Sequence, residues 1–465
     1  MFNKDRRDDI FLRVEIAVAA VLFFVMLICC GLYIDIKMNG RTSNLPTLSE
    51  NETRLLLSTS DFQTDEFFDD LLEPVFIGIR NNDEMSAVTY DNEQRHLLQQ
   101  ALYETVNMLF KGENEFLYCD EEDKGAIVED IKNMEQYILV GFYDDLPSDI
   151  ILPCVSQRVG FTSDAQGFFF RHLFIVPDED GNICAFAVSS QNDTVKLLPV
   201  EKVRFNNFFD ETYDIIDGRI PFVYNKAESV SPVLAASFDC FRYEVLPYAV
   251  KYGMDSDSEW LKSVFNAFSF NPNLIKSFTT GDGSEVNFVE EFRELIVNID
   301  GSVEYKDPNG EGTGIDEFSG YLAVDSDDFI FSDKVFALKN LINSLYKGTG
   351  RVSCSVVGID YIENSDSLKL YFKYTTDGIF IFEDDFDAVF EIKNNKIVYA
   401  KMMMFNCNRL ESVSVALPQK YISSVSQKKG LGEVYPVLCD DNGDGIRELC
   451  WASLTDTSEV IVNGG

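Results

Sequence analysis

Residues 440–449 read DDNGDGIREL. Asp440, Asn442 and Asp444 place oxygen-bearing side chains at every second position, Gly445 follows, and Glu448 closes the run. This spacing lets a short loop wrap a hard cation. The three side chains would supply oxygens, Ile446 a backbone carbonyl and Glu448 a closing carboxylate, and the cation such a set fits is calcium. The run is not a complete EF-hand, because Trp451 stands at the twelfth position, where a bidentate Glu belongs; it fits a shorter loop of nine positions. The same letters also spell a hairpin. With Asp444-Gly445 as a two-residue turn, YPVLCDD pairs with RELCWAS and Cys439 falls opposite Cys450, within disulfide reach. Calcium, a disulfide-flanked hairpin and a plain turn are three readings of one stretch, and no other feature calls for a cofactor.

The remaining residue types offer little chemistry. The chain holds two histidines, His96 in EQRHLLQQ and His172 in FFFRHLF, neither beside a Cys or an acidic motif. Both read as structural residues. No G-x-S-x-G, H-E-x-x-H, Walker or G-x-G-x-x-G pattern is present. Carboxylates cluster in FFDD, FYDD, PDED and FEDDFD, and paired acids can hydrolyse glycosides. With 78 Asp and Glu against 39 Lys and Arg, however, such clusters arise as solvated surface. No catalytic or cofactor-binding residue is assigned. The net charge of −39 repels phosphate backbones, which excludes nucleic acid as a partner, and it attracts cations and basic proteins.

What must position any site begins with an anchor. Residues 16–34, IAVAAVLFFVMLICCGLYI, carry no charge. A helix of that length crosses most of a ~30 Å hydrocarbon core. Lys4, Arg6, Arg7 and Arg13 precede it, so the N-terminus is expected in the cytoplasm and the bulk of the chain outside the cell membrane, with a single pass. A signal peptide would have a shorter apolar region and an A-x-A site, and LICCGLYIDIK has none. The expected layout is a cytoplasmic tail at 1–13, a transmembrane signal anchor at 14–36 and a polar stalk at 37–64. Three outer domains follow, at 65–203, 204–320 and 321–465. Sequons for glycosylation stand at Asn51 and Asn192. The eight cysteines beyond the anchor show no C-x-x-C spacing, and their apolar contexts suit either disulfides or buried thiols.

The fold class is α+β, with mainly antiparallel sheets and packed helices. In the first domain EPVFIGIR reads as a strand and residues 91–112 as a helix. QYILVGFYDDLPSDIILP reads as a strand broken by a turn at Leu146-Pro147, and FFFRHLFIVPDEDGNICAFAV as a hairpin around Asp180-Gly181. In the second, SEWLKSVFNAF is an amphipathic helix with Trp260, Leu261, Val264, Phe265 and Phe268 on its apolar side, and Asp300-Gly301 joins two alternating runs. In the third, DKVFALKNLINSLYKGTG is a helix stopped by glycine, followed by a meander of four strand-like runs ending in KIVYAKMMMF.

Several phrases together resemble the YycH/YycI family. YILVGFYDDLPSDII resembles the strand and Pro-led turn of the first outer domain of YycH proteins. FNPNLIKSFTTGDGSEVNFVEEFRELIVNIDGSVEYKD resembles the module shared by YycH and YycI, and LYFKYTTDGIFIF its F-x-Y…G-I-x-x-F strand pair. The anchor and stalk match the family layout. The chain departs from it near the end, where LCWAS keeps Trp451 but lacks the family's Pro-x-Trp, with the acidic loop just upstream. The resemblance implies a single-pass, extracytoplasmic regulator of Gram-positive bacteria and no enzyme. Its partners would be a membrane sensor histidine kinase of the WalK (YycG) type, within a two-component system, and a sister YycH/YycI-like protein. The sign of regulation does not transfer, because the family includes damping and stimulation. The transmembrane helix would share in the kinase contact, with Ala17, Ala19, Ala20 and Gly31 allowing close approach. The alternative, read from the carboxylates, is a surface-anchored calcium-dependent wall-binding protein or a carboxylate-dependent hydrolase.

Overall fold

A computed structural model describes residues 74–88, 116–118, 124–148, 168–189, 194–197, 203–215, 220–224, 232–234, 237–318, 331–346, 352–362, 367–381, 387–416, 422, 424–425, 428, 434–440, 443–452 and 460–463. These lie within one unit, Asp65–Gly465. The anchor, the stalk, the helix expected at 91–112 with His96, both sequon asparagines, Cys119, Cys154 and Asn442 lie outside them. No helix of the described residues is long and apolar enough to cross a membrane.

The first sheet uses the first half of the unit. Its strands are β1 (Phe76–Asn81), β2 (Glu84–Val88), β3 (Phe116–Tyr118), β4 (Gln136–Pro147), β5 (Phe169–Pro177), β6 (Ile183–Val188), β7 (Thr194–Leu197), β8 (Ile220–Tyr224) and β9 (Pro232–Leu234). They lie in the order β3-β7-β6-β5-β4-β1-β2-β8-β9, with helices α1 (Lys124–Asn133) and α2 (Phe205–Ile215) between them in the chain. The expected β5–β6 hairpin is present. Gly181 takes a positive φ of 77°, and the Asp178 carboxylate accepts the N–H groups of Asp180 and Asn182. The break expected at Leu146-Pro147 lies elsewhere. β4 pairs with β5 as far as Pro147, and its register slips between Gly141 and Leu146 instead. The slip adjoins Gly141, where a Cβ would collide with the ring of Phe76.

The rest of the unit builds two more sheets. After β10 (Ser237–Pro247) come α3 (Tyr248–Tyr252) and α4 (Glu259–Ala267). Then follow β11 (Lys276–Thr279), β12 (Glu285–Glu290), β13 (Arg293–Asn298), β14 (Ser302–Lys306), β15 (Thr313–Gly314) and α5 (Phe331–Leu345). The last strands are β16 (Val352–Ile362), β17 (Ser367–Thr376), β18 (Ile379–Phe380), β19 (Ala388–Lys393), β20 (Lys396–Met403), β21 (Phe405–Ala416), β22 (Tyr435–Cys439), β23 (Ile446–Ala452) and β24 (Val460–Asn463). A ten-stranded sheet runs β11-β12-β13-β14-β20-β19-β17-β16, with β15 on β20 and β18 on β17. A five-stranded sheet runs β21-β10-β23-β22, with β24 on β23. All these strand pairs are antiparallel. The ten-stranded sheet takes strands from both sides of residue 320, because β14 pairs with β20 from Ser302↔Met403 to Lys306↔Tyr399.

Helical spacing explains what covers it. Trp260, Leu261, Val264 and Phe265 bury one side of α4, and Val335, Leu338, Leu341, Ile342 and Leu345 one side of α5. All belong to one buried cluster with Phe288, Leu295, Val303 and Tyr305, alternate residues of β12–β14 that face inward. Phe268 stacks on Tyr305 with ring centroids 4.4 Å apart, and Phe265 meets Phe288 edge-on at 5.0 Å. Both rings of the Phe268–Tyr305 stack are fully buried, so Phe268→Ala opens a cavity where helix and sheet meet. The expected loss is about 3–5 kcal/mol, read as a fall in the urea midpoint of the chain.

Candidate functional site

The acidic run is the loop between β22 and β23. Asp440 follows the last residue of β22, and its carboxylate turns back over the loop. It accepts the backbone N–H groups of Gly443 (2.6 Å), Asp444 (3.2 Å) and Gly445 (2.8 Å). Burial acts to raise the Asp440 carboxyl, but these hydrogen bonds and nearby Arg447 outweigh it and hold the group below its ordinary value. Gly443 and Gly445 have φ of 68° and 80°, the left-handed region that glycine enters without strain. Asp444 Oδ1 accepts the N–H of Ile446 at 2.9 Å, and the Gly445 carbonyl accepts the N–H of Val245.

The closing carboxylate faces a cation of the protein's own. Glu448 forms an ion pair with Arg242, which also binds Glu411 at 2.9 Å. Arg242 lies at a β-bulge in β10, where the pairing with β21 slips between Phe241 and Tyr243. Its guanidinium thus bridges the strands on either side of β10. Ile446 opens β23, paired with Glu244. The five residues proposed as calcium ligands are therefore placed as follows. Asp440 and Asp444 bind backbone N–H groups, Ile446 lies in a strand, Glu448 faces Arg242, and Asn442 lies outside the described residues. Arg242 is distant in sequence from Glu448, and no local signal in the sequence points to it.

The hairpin is real but its register differs from the expected one. Cys439 lies opposite Glu448 and Val437 opposite Cys450, so the two cysteines are diagonal neighbours. They are bonded, with Cα atoms 6.1 Å apart. The loop is wider than a two-residue turn because the Asp440 carboxylate gathers three successive N–H groups before β23 can begin. Cys184, Cys354 and Cys407 are buried thiols outside any disulfide, and burial pushes the Cys184 thiol up to about 11, where it is unreactive. His172 lies buried in β5, 6.3 Å from the ring of Phe76. Burial, with Arg171 and Lys132 adding to it, holds its pKa well below the ordinary imidazole value.

A second feature lies on the face of the ten-stranded sheet opposite the helices. Pairing places Glu294, Lys306, Tyr399, Glu391 and Lys369 in one row across five strands. Oppositely charged residues flank the tyrosine on either side. At one end of this face the row opens into a groove of about 740 Å³, lined also by Phe292, Lys393, Asn394 and the turn from Asp307 to Gly310. Phe292 is 69% exposed. Glu391 lies 3.9 Å from Lys369, and Lys306 lies 3.0 Å from Glu304. Charges matched across strands on a fixed surface suit recognition of a partner's charges more than proton transfer.

Two substitutions test the loop. Asp440→Ala frees three N–H groups and should cost about 1–2 kcal/mol of stability by denaturant titration, equally in calcium and in chelator. A midpoint that rises with calcium in the unaltered chain would assign the loop to the metal instead. Because the folded-state carboxyl is depressed, the stability it contributes is present at neutral pH and fades as pH falls below the ordinary carboxylate range. The substituted and unaltered chains should converge there. Cys450→Ser opens a crosslink of sequence separation 11 and should cost about 2–3 kcal/mol, with no further loss on adding reductant.

No family model matches the sequence, and no curated protein matches it. Among solved structures the chain is similar to YycH from Bacillus subtilis, with a TM-score of 0.51 and 12% sequence identity over 86% of this chain and 95% of that one. At this identity the likeness concerns the fold: the chain has a YycH-like fold.

Proposed function

We propose that the chain is a membrane-anchored, extracytoplasmic regulator that binds a sensor histidine kinase of a two-component system and modulates it by protein contacts, with no reaction of its own. The observation that carries this reading is the YycH-like fold across 86% of the chain. The sequence phrases that resemble the YycH/YycI family support it. So do the uncharged run at 16–34 and the basic residues before it, which suit a single pass with the N-terminus in the cytoplasm. The described carboxylates also support it. Asp440 and Asp444 hold backbone N–H groups, Glu448 pairs with Arg242 and Glu391 lies 3.9 Å from Lys369, and none of these four is paired with a histidine. The partners are the kinase and a sister protein of YycH/YycI type, and the apolar run at 16–34 shares in the contact within the bilayer.

The experiment is affinity capture of the full chain from membranes, alongside a chain whose residues 16–34 are replaced by an unrelated apolar helix. The expected result is a sensor histidine kinase recovered with the native chain and several-fold less with the replaced one. Recovery of neither a kinase nor a sister protein by either chain overturns the reading.

A further inference from the structure

The groove on the ten-stranded sheet is walled by three turns. They are the β12–β13 turn with Phe292, the turn from Asp307 to Gly310 after β14, and the β19–β20 turn with Asn394. Glu291, Gly310, Asn394 and Asn395 hold φ between 50° and 69° in these turns. Contacts next to Phe292 brace its turn. Arg293 donates to the carbonyls of Phe268 and Ser269, each at 3.2 Å, and to Glu290 at 2.8 Å. The Phe292 ring nonetheless stands 69% exposed against the groove.

The charges lining the groove are not all matched internally. Lys306 lies opposite Glu294 on the next strand, yet its ammonium goes to Glu304 at 3.0 Å. Glu391 has Lys369 at 3.9 Å. The Glu294 carboxylate forms no ion pair or hydrogen bond among the described residues. Asp307, beside Lys306, is 4% exposed. Its Oδ1 accepts the Asn309 N–H, and its Oδ2 has no hydrogen-bond partner among the described residues. One end of the groove thus presents two carboxylates without a paired cation, next to an exposed phenyl ring.

The chain shows elsewhere what completes such a set. Arg293 lies over the Phe270 ring, 5.0 Å from its centroid, while pairing with Glu290. Arg409 lies over the Phe241 ring, with Asp377 3.8 Å from its Nε. In both, one guanidinium serves a carboxylate and a phenyl face together. Glu294 and Phe292 are the same two groups, two residues apart, and no arginine of the described residues pairs with them.

We propose that this groove seats an arginine side chain of a partner polypeptide, its guanidinium on the Glu294 carboxylate and against the Phe292 ring. Arginine fits better than lysine, because a planar guanidinium stacks on the ring and bonds the carboxylate at the same time. Lys393 selects against a polybasic tract. It lines the far side of the groove, opposite Lys396, and three strand spacings of ~4.8 Å separate β19 from β13. A second cation there would meet like charge, so the occupant carries one arginine among neutral or acidic residues. With Phe292 largely in solvent, the groove does not enclose a small molecule as ligand pockets do, whereas a polypeptide can cross it. The net charge of −39 favours the approach of a cationic group. The proposal rests on the regulatory reading only in taking the partner to be a protein.

The test is saturation-transfer NMR titration of the full chain in a neutral detergent, with acetyl-Gly-Arg-Gly-amide as the probe. The citrulline peptide, isosteric and uncharged, the lysine peptide and free arginine are the controls. The arginine peptide should bind about three- to tenfold more tightly than the citrulline or lysine peptide. Glu294→Gln and Phe292→Ala, neither in the core, should keep the thermal midpoint and each weaken binding by a similar factor. Glu259→Gln, on α4 at the other face of the sheet, should leave binding unchanged. The proposal is overturned by equal binding of the citrulline or lysine peptide, by binding that survives both groove substitutions, by an equal loss in Glu259→Gln, or by free arginine binding more tightly than the peptide. None of these readouts involves the kinase, so the groove and the regulatory reading can fail separately.

Discussion

The β14–β20 ladder is the contact on which the larger sheet depends. The pairs from Ser302↔Met403 to Lys306↔Tyr399 join the hairpins of β11–β14 to the meander of β16–β20. Without them each set would end in an open edge, and α4 and α5 would have no common floor. With them Val303, Tyr305, Ala400 and Met402 form one buried surface. The choice of side chains suits the join. Tyr305 pairs with the small Ala400, and Phe268 covers Tyr305 from the helix side. The same ladder fixes the other face, because it sets Lys306 beside Tyr399 and so completes the charged row and its groove.

The acidic composition has a local explanation at many turns. Four reversals close on a glycine of positive φ whose N–H bonds the carbonyl three residues back. These are Asp178 to Gly181, Thr280 to Gly283, Asn298 to Gly301 and Asp307 to Gly310. In each, an Asp carboxylate takes a further N–H: Asp178 from Asp180, Asp282 from Ser284, Asp300 from Ser302 and Asp307 from Asn309. Asp440 to Gly443 has the same spacing, with the carboxylate taking the glycine N–H itself. The loop that resembles a cation site is thus the longest member of a set of aspartate-closed turns. A carboxylate bonded to N–H groups is stabilised in its charged form, which suits a turn anchor and opposes a role as proton donor.

What was legible in the sequence was what is local. The apolar spacing of Trp260, Leu261, Val264 and Phe265 sufficed for α4, and Asp180-Gly181 and Asp300-Gly301 marked their hairpins, because turn and strand propensity act over a few residues. The Cys439–Cys450 bond was legible as a pair, but its register was not. Register there follows from one side chain, Asp440, collecting three N–H groups, and alternation alone cannot report that. Arg242 was invisible as the partner of Glu448, since its placement depends on a bulge in a distant strand. The sequence reading did not single out Glu294, Lys306, Glu391 or Tyr399. Their assembly into one row required the β14–β20 ladder, a contact between segments far apart in sequence that no local pattern encodes.

These constraints bear on function through rigidity. The disulfide ties β22 to β23, Arg242 ties β10 to β21 and β23, and the aspartate turns hold the hairpins between strands. A surface held in this way presents fixed charges and fixed strand edges, so a partner that binds it meets little loss of side-chain or loop freedom. Chemistry at such a surface would need a carboxylate free to change protonation, whereas Asp440, Asp444, Glu448 and Glu391 are committed to backbone N–H groups, arginine or lysine. Recognition needs the opposite: groups that keep their charge and position whether or not a partner is bound. A sheet with one face packed on helices and the other patterned with matched charges meets that requirement.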